Sequence, residues 1–294
     1  HEIKESLTGQ GISDEDIITF SDTKYFWNMF SQCYTDYKKY TARIKKFRNI
    51  HAGERCFIIG NGPSLRAEDL DQLKDEYTFA VNSIYCMYPY TEWRPTYYVA
   101  VSSDLFLMEL PDKASFANVI EGCRAAFTTM LVRAFDYRDD EDMEKVHYFE
   151  TRNFEESVCQ GLQFSEDCSD YMYCQTTVLY TVLQLAAYMG FREIYLIGVD
   201  CSYAMEIDED GNVVDNHSSD YNDIMEQYYS ERNITDMSLK KEGKAKGSYR
   251  TVEEYKEAKK YADSHSIQIY NATRGGKLEV FERVDFDSLM KISH

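Results

Sequence analysis

The residues best suited to chemistry sit in short turns that follow apolar runs. The first is Gly60-Asn-Gly-Pro-Ser64, after Arg55-Cys-Phe-Ile-Ile. Glycine at 60 and 62 opens backbone angles closed to other residues and lets a ligand approach the main chain. Pro63 suits a first helical position, and Ser64 is a good N-cap. The N–H groups of a helix opening here would hold a phosphate. The same turn also serves as a plain strand-to-helix connection with no ligand, because two glycines make a weak motif. The dinucleotide fingerprint is excluded, since Leu65 follows Ser64 and no third glycine comes. A Walker A loop is excluded because no Gly-Lys-Ser/Thr follows.

Other polar groups end apolar runs in the same way. Asn82 follows Thr78-Phe-Ala-Val, Ser102 and Ser103 follow Tyr97-Tyr-Val-Ala-Val, and Asp200 ends Glu193-Ile-Tyr-Leu-Ile-Gly-Val. Asn271-Ala-Thr-Arg-Gly-Gly276 follows Ile267-Gln-Ile-Tyr. This last segment reads either as a structural turn or as a ligand loop. Arg274 offers a forked grip on phosphate. His217 is a candidate general base near neutral pH, with Asp220 or Asp223 able to act in its place; a lone loop histidine also occurs without any role.

Positioning these turns takes a parallel sheet. Strands are expected over 56–59, 78–81, 125–131, 146–149, 193–200 and 267–270, with a further strand held within 93–101 and short and buried helices over 67–74 and 179–189. Strands alternating with helices give an α/β, Rossmann-like, doubly wound and mainly parallel sheet. Ligands then bind beyond the carboxyl ends of the strands, which gathers Asn61, Ser64, Asn82, Ser102, Ser103 and Asp200 at one rim. Phe26, Phe30, Cys33, Tyr37, Tyr40, Ile44 and Phe47 recur at helical spacing. They make residues 1–50 an N-terminal helical extension that packs on the following domain, 51–294, or on a second copy of the chain. Residues 202–250 are polar and predict a mobile lid. Thr251-Val-Glu-Glu254 reads as a capping box that opens a helix through residue 262.

The chain has 294 residues, with 32 basic and 51 acidic, for a net charge of −19. That field repels nucleic acid and anionic membrane surfaces, so neither is an expected partner. A phosphorylated ligand needs a local pocket of cations or N–H groups. With 25 Tyr and 16 Phe, a few rings are available to stack on a base or a sugar. The eight cysteines include no C-x-x-C pair, so zinc has no support and reduced, cytoplasmic thiols are expected. Neither a signal peptide nor a transmembrane run is evident, and the chain opens on His1, as a piece of a longer protein would.

Together, Gly60-Asn-Gly-Pro-Ser64, Thr78-Phe-Ala-Val-Asn-Ser-Ile-Tyr85, Arg94-Pro-Thr-Tyr-Tyr-Val-Ala-Val101, Gly198-Val-Asp200 and Asn271–Gly276 resemble the DUF115 family of MptE-like, motility-accessory-factor-like proteins. The resemblance covers residues 50–284. The chain is also similar to the family 42 sialyltransferases, which share the Gly-Asn-Gly-Pro-Ser turn and an Ile-Tyr-Leu-x-Gly-x-Asp strand. That similarity implies a variant GT-A-like domain, a CMP-linked donor and no metal. It implies that Asn61 and Ser64 face the nucleotide phosphate or donor sugar and that Asn82 lies near the donor. Thr176 and Thr177 would hold donor sugar and phosphate, Asp200 a ribose hydroxyl, and Tyr203 or Tyr221 would stabilise the leaving phosphate. One departure stands out: the sialyltransferase His before the helix preceding the last strand is replaced here by Lys246-Gly-Ser-Tyr-Arg250.

The implied function is a glycosyltransferase that moves a nucleotide-activated sugar, CMP-linked, onto a glycan or protein acceptor. The setting would be bacterial surface polysaccharide or protein glycosylation. The alternative is an MptE-like 6-hydroxymethylpterin diphosphokinase using ATP, with Asp200 and a neighbouring acid holding Mg²⁺ between phosphates. A non-enzymatic nucleotide sensor is a third reading.

Overall fold

The computed structural model describes residues 40–101, 113–130, 144–152, 162–174, 176–201, 205–207, 213–215 and 237–292. The side chains of 113–115, 205–207, 213–215, 237–250 and 292 are not included. In chain order the strands are β1 (Arg55–Ile59), β2 (Thr78–Val81), β3 (Tyr97–Ala100), β4 (Ala125–Thr129), β5 (Val146–Phe149), β6 (Thr151–Arg152), β7 (Met172–Tyr173), β8 (Glu193–Ile197), β9 (Met205–Ile207), β10 (Val213–Asp215), β11 (Gln268–Asn271) and β12 (Glu282–Arg283). The α-helices are α1 (Ala67–Asp71), α2 (Lys113–Val119), α3 (Val178–Met189), α4 (Met237–Ser264) and α5 (Phe286–Ile292).

Eight of the described strands form one sheet in the order β12-β11-β8-β1-β2-β3-β4-β5, and every pairing in it is parallel. The order reverses between β1 and β8. The central strands read as apolar runs because both faces of the sheet are covered. In β1, Cys56 and Ile58 enter one core with α3 and α4, while Phe57 and Ile59 enter the other with α1 and α5. The expected fold class therefore holds.

Helix α3 is buried nearly all round, and Gly190 ends it with φ 95°. There a Cβ would also press on the Asn49 and Ala52 backbone at 3.1 Å. The described end of the N-terminal helix places Tyr40, Ile44 and Phe47 inside the cores. Tyr40 meets Tyr148 edge-on at 5.5 Å and Phe47 meets Phe127 at 4.9 Å. This end of the helix therefore packs on β4 and β5 of its own chain. Residues 1–39 lie outside the described residues, and so does any use of them between copies.

Three expectations change. Residues 202–250 are not without structure: β9 and β10 pair as an antiparallel hairpin, and α4 begins at Met237. Thr251 therefore lies inside a 28-residue helix and opens nothing. Lys, Glu, Ala and Leu outweigh Gly243 and Gly247 there as helix formers. The strand expected over 193–200 stops at Ile197, while the one expected within 93–101 runs from Tyr97 to Ala100. The 3-10 segment Asn82–Tyr90, β12 and α5 carried no sequence signal. Six cysteines, 56, 86, 123, 168, 174 and 201, are free thiols. Among the described residues, no helix is long and apolar enough to cross a membrane.

Candidate functional site

β11, β8 and β1 are neighbours in the sheet, so the loops leaving them emerge side by side. They knit around Asp200. Gly60 N–H donates to Ile197 O at 2.8 Å and Gly62 N–H to Gly198 O at 2.9 Å. The Ser64 hydroxyl donates to Asp200 Oδ2 at 2.8 Å and its N–H to the same oxygen at 3.3 Å. From the third loop, Lys277 N–H reaches Asp200 O at 2.6 Å.

The contact is too close for side chains. A Cβ on Gly60 would lie 2.4 Å from Gly198 O, and one on Gly62 would lie 1.9 Å from Asp200 Oδ2. One on Gly276 would lie 2.8 Å from Asp200 Cα. This corrects two expectations. Neither Gly60 nor Gly62 is left-handed; Gly198 at 63° and Gly276 at 73° are. The two glycines make room for another loop of the chain. The N–H groups of Gly60, Gly62, Ser64 and Leu65 are spent within the protein, and Pro63 has none, so the turn has few N–H groups left for a phosphate. Nor does Ser64 cap a helix: α1 opens at Ala67 behind Arg66, which makes no side-chain cap bond.

Asp200 is 7% exposed. Burial pushes its carboxyl above the usual range, against the pull of the Ser64 hydroxyl and N–H and of the Arg283 charge. Both Ser64 bonds fall on Oδ2, and the backbone N–H of Asp200 itself adds to the pull on the carboxylate.

Asn61 and Asn82 follow the paired strands β1 and β2. Asn61 Nδ2 donates to Val81 O at 3.0 Å, which fixes the amide orientation because a carbonyl can only accept. Among the described residues, Asn61 Oδ1 is then a buried acceptor with no partner, and so is Asn82 Oδ1. Asn82 is also held at φ 45°, with Tyr98 OH donating to its carbonyl at 2.7 Å. A buried polar atom left unpaired costs about 1–3 kcal/mol. Two on adjoining strand ends, one on a strained backbone, mark a place built for a ligand or ordered water that donates hydrogen bonds.

The remaining expected site residues are engaged elsewhere. Helix α3 runs back against the strands, so its N-terminus faces the same rim. Its Thr176 and Thr177 N–H groups donate to Glu254 at 2.8 and 3.2 Å, and Thr177 Oγ1 accepts from Leu179 N–H at 3.3 Å. The anion at this helix start is the protein's own carboxylate, which the sequence reading missed. Asn271, expected to face a ligand, is 1% exposed. Its Nδ2 donates to Leu278 O at 2.8 Å and its Oδ1 accepts from Thr273 N–H at 3.0 Å. Arg274, expected to grip phosphate, grips Asp69 at 2.8 and 2.9 Å and Asp287 at 2.9 Å. These carboxylates raise its pKa further and occupy the fork. The Arg283 side chain holds the same loop through Gly275 O and Gly276 O. Ser102, Ser103, Tyr203, His217, Asp220, Tyr221 and Asp223 lie outside the described residues.

For Mg²⁺, Asp200 is the rim carboxylate available, since Glu254 is taken up by the Thr176 and Thr177 N–H groups. That suits a cation held mainly by substrate phosphates. Among the described residues, no three His, Cys, Asp or Glu side chains stand together as a metal cluster.

No curated protein sequence matches the chain. Among solved structures it is similar to the MAf glycosyltransferase of Magnetospirillum magneticum AMB-1, at 16% identity and a TM-score of 0.43. That match covers 88% of this chain and 40% of the other, so the chain spans well under half of that protein. It is also similar to the sialyltransferase CstII of Campylobacter jejuni, solved with cytidine-5'-monophosphate. There the identity is 13% and the TM-score 0.40, covering 79% of this chain and 85% of the other. The monofunctional alpha-2,3-sialyltransferase Cst-I of Campylobacter jejuni matches at 14% identity and a TM-score of 0.38, covering 74% and 75%. No residue role follows from likenesses this distant. The sequence itself matches one family over residues 30–206, more than half its length, and the chain belongs to that family, described as 6-hydroxymethylpterin diphosphokinase MptE-like.

Proposed function

We propose that the chain is a glycosyltransferase that binds a nucleotide-activated sugar, a CMP-linked nonulosonate, at the rim formed by Asn61, Asn82 and Asp200. The observation that supports this most is the polarity of the unspent groups. Asn61 Oδ1 is a buried acceptor fixed in orientation after β1, and the Asp200 carboxylate follows the neighbouring strand β8. Acceptors call for a ligand rich in donors, such as ribose and sugar hydroxyls or the amino group of a cytosine. Arg274, by contrast, is committed to Asp69 and Asp287, which leaves that loop poorly suited to a triphosphate.

In this reading an acceptor hydroxyl attacks the anomeric carbon, the bond to the nucleotide phosphate breaks, and the hydroxyl proton passes to a base. His217 or Asp220 is the proposed base, and Tyr203 or Tyr221 the proposed partner of the leaving phosphate. The acceptor is a glycan or a protein.

Family membership favours a second reading, diphosphate transfer from ATP to a hydroxymethylpterin. Mg²⁺ would then be held by the phosphates and Asp200, and would supply charge neutralisation to the transferred group. Calorimetric titration of CMP and ATP, each with EDTA and with Mg²⁺, separates the two. Metal-independent CMP binding is expected. ATP binding that requires Mg²⁺, with CMP inert, would replace the first reading by the second, and no binding of either nucleotide would sink both.

A further inference from the structure

The opposite end of the sheet carries a second feature. β4 and β5 begin side by side, with Ala126 paired to Val146. Arg124 and Lys145, just before these strands, open onto a cavity of about 370 Å³ that Lys46, Glu144 and His147 also line. Three cations face one carboxylate there, on a chain of net charge −19. Among the described residues, none of Lys46, Arg124 and Lys145 is in an ion pair. Glu144 offsets only part of the repulsion among three cations, and an anion between them removes the rest.

An independent observation lies in the wall of the cavity. His147 is 2% exposed, and its Nδ1 is buried with no hydrogen-bond partner among the described residues. Its ring is fixed edge-on by Phe47 at 4.8 Å and packs on Phe127 at 5.6 Å. Burial and the charges of Lys46 and Arg43 push its pKa down to about 3, so the imidazole is neutral and offers one N–H and one acceptor. A neutral ring under a cluster of cations adds a hydrogen bond without adding charge.

We propose that this basin is a second ligand site, for the phosphate group of a small molecule. It stands apart from the Asp200 rim, about 20 Å away given the strand length and the three strand spacings from β1 to β4. It is independent of the reading given to that rim. The small volume, lined by three cationic side chains, suits one compact phosphorylated molecule.

The test uses the full chain labelled with ¹⁵N-histidine and titrated with inorganic pyrophosphate, with His147→Gln assigning the resonance. A saturable shift of the His147 ring nitrogens is expected. The paired variant Lys46→Ala/Lys145→Ala should weaken it about tenfold or more, because each removes a charge-assisted contact. Both lysines are exposed, so the fold should survive, and an unchanged circular dichroism spectrum checks it. Asn61→Ala should leave the shift untouched. An unmoved His147, an undiminished shift in the lysine variant, or a shift lost in Asn61→Ala would each overturn the proposal. So would a response to an acidic peptide with none to pyrophosphate.

Discussion

Asp200 combines burial and a raised pKa with a carboxylate held by the Gly60–Ser64 turn and a backbone that the third loop meets. The sign of its linkage follows from that direction. The unfolded chain releases this proton first, so stability tied to Asp200 is full below the unfolded value of 3.8 and is lost as pH rises through the folded value. Asp200→Asn keeps an oxygen that can accept from Ser64 and removes the buried charge. Its melting temperature at pH 7 should equal or exceed that of the parent, while nucleotide affinity falls at least tenfold. A variant that melts lower and binds normally would make Asp200 a structural residue. Asn82 permits a cleaner separation. At φ 45° glycine is relaxed, so Asn82→Gly should keep or raise the melting temperature, whereas the lost amide should weaken nucleotide binding about ten- to a hundredfold. Full affinity in that variant would remove Asn82 from the site.

Among the elements, α3 depends on a residue far away in sequence. Glu254, on α4, is fully buried and accepts from two N–H groups at the start of α3. Removing it strands those donors at the positive end of a helix dipole. Glu254→Ala should cost about 2–4 kcal/mol in urea unfolding, and Glu254→Gln less. Equal stability of the alanine variant would mean that water replaces the carboxylate at no cost. Arg274 plays a comparable part between α1 and α5, since Asp69 sits in one and Asp287 in the other. Lysine cannot make the fork, so Arg274→Lys should lower the melting temperature and leave nucleotide affinity alone. Weakened nucleotide binding in this variant would restore Arg274 to the site.

At the scale of the whole molecule, acid should act through the buried imidazoles. Burial, Lys46 and Arg43 hold His147 near 3, against 6.5 when unfolded; Glu144 faces the same cavity. Burial lowers His51 as well, against the pull of Glu54. A depressed folded value means that the unfolded chain takes the proton first, so stability is present above pH 6.5 and drains as pH falls towards 3. His147 alone should account for about 2 kcal/mol by pH 5. Denaturant midpoints at pH 7 and pH 5 should therefore differ less in His147→Gln than in the parent. Parallel losses in the two proteins would show that the His147 imidazole meets the acid already exposed.

The sequence by itself determined the sheet and the turns that follow its strands. Runs such as Phe57-Ile-Ile and Ile194-Tyr-Leu-Ile are local statements that both faces of a strand are covered, and alternation with helices requires parallel pairing. The polar turns at 60–64, 82, 200 and 271–276 were legible for the same reason, because a chain leaving a buried strand must satisfy its backbone nearby. What each polar group bonds was not legible, because its partner lies many residues away. Ser64 meets Asp200, Thr176 meets Glu254, and Arg274 meets Asp69. The glycines of the first turn look in sequence like room for a ligand, and only the packing of β8 beside β1 shows that the Gly198–Asp200 turn fills that room. The cationic basin was hidden for the same reason. Lys46, Arg124 and Lys145 are unremarkable along the chain, and they become a cluster only because β4 and β5 start together under the end of the N-terminal helix.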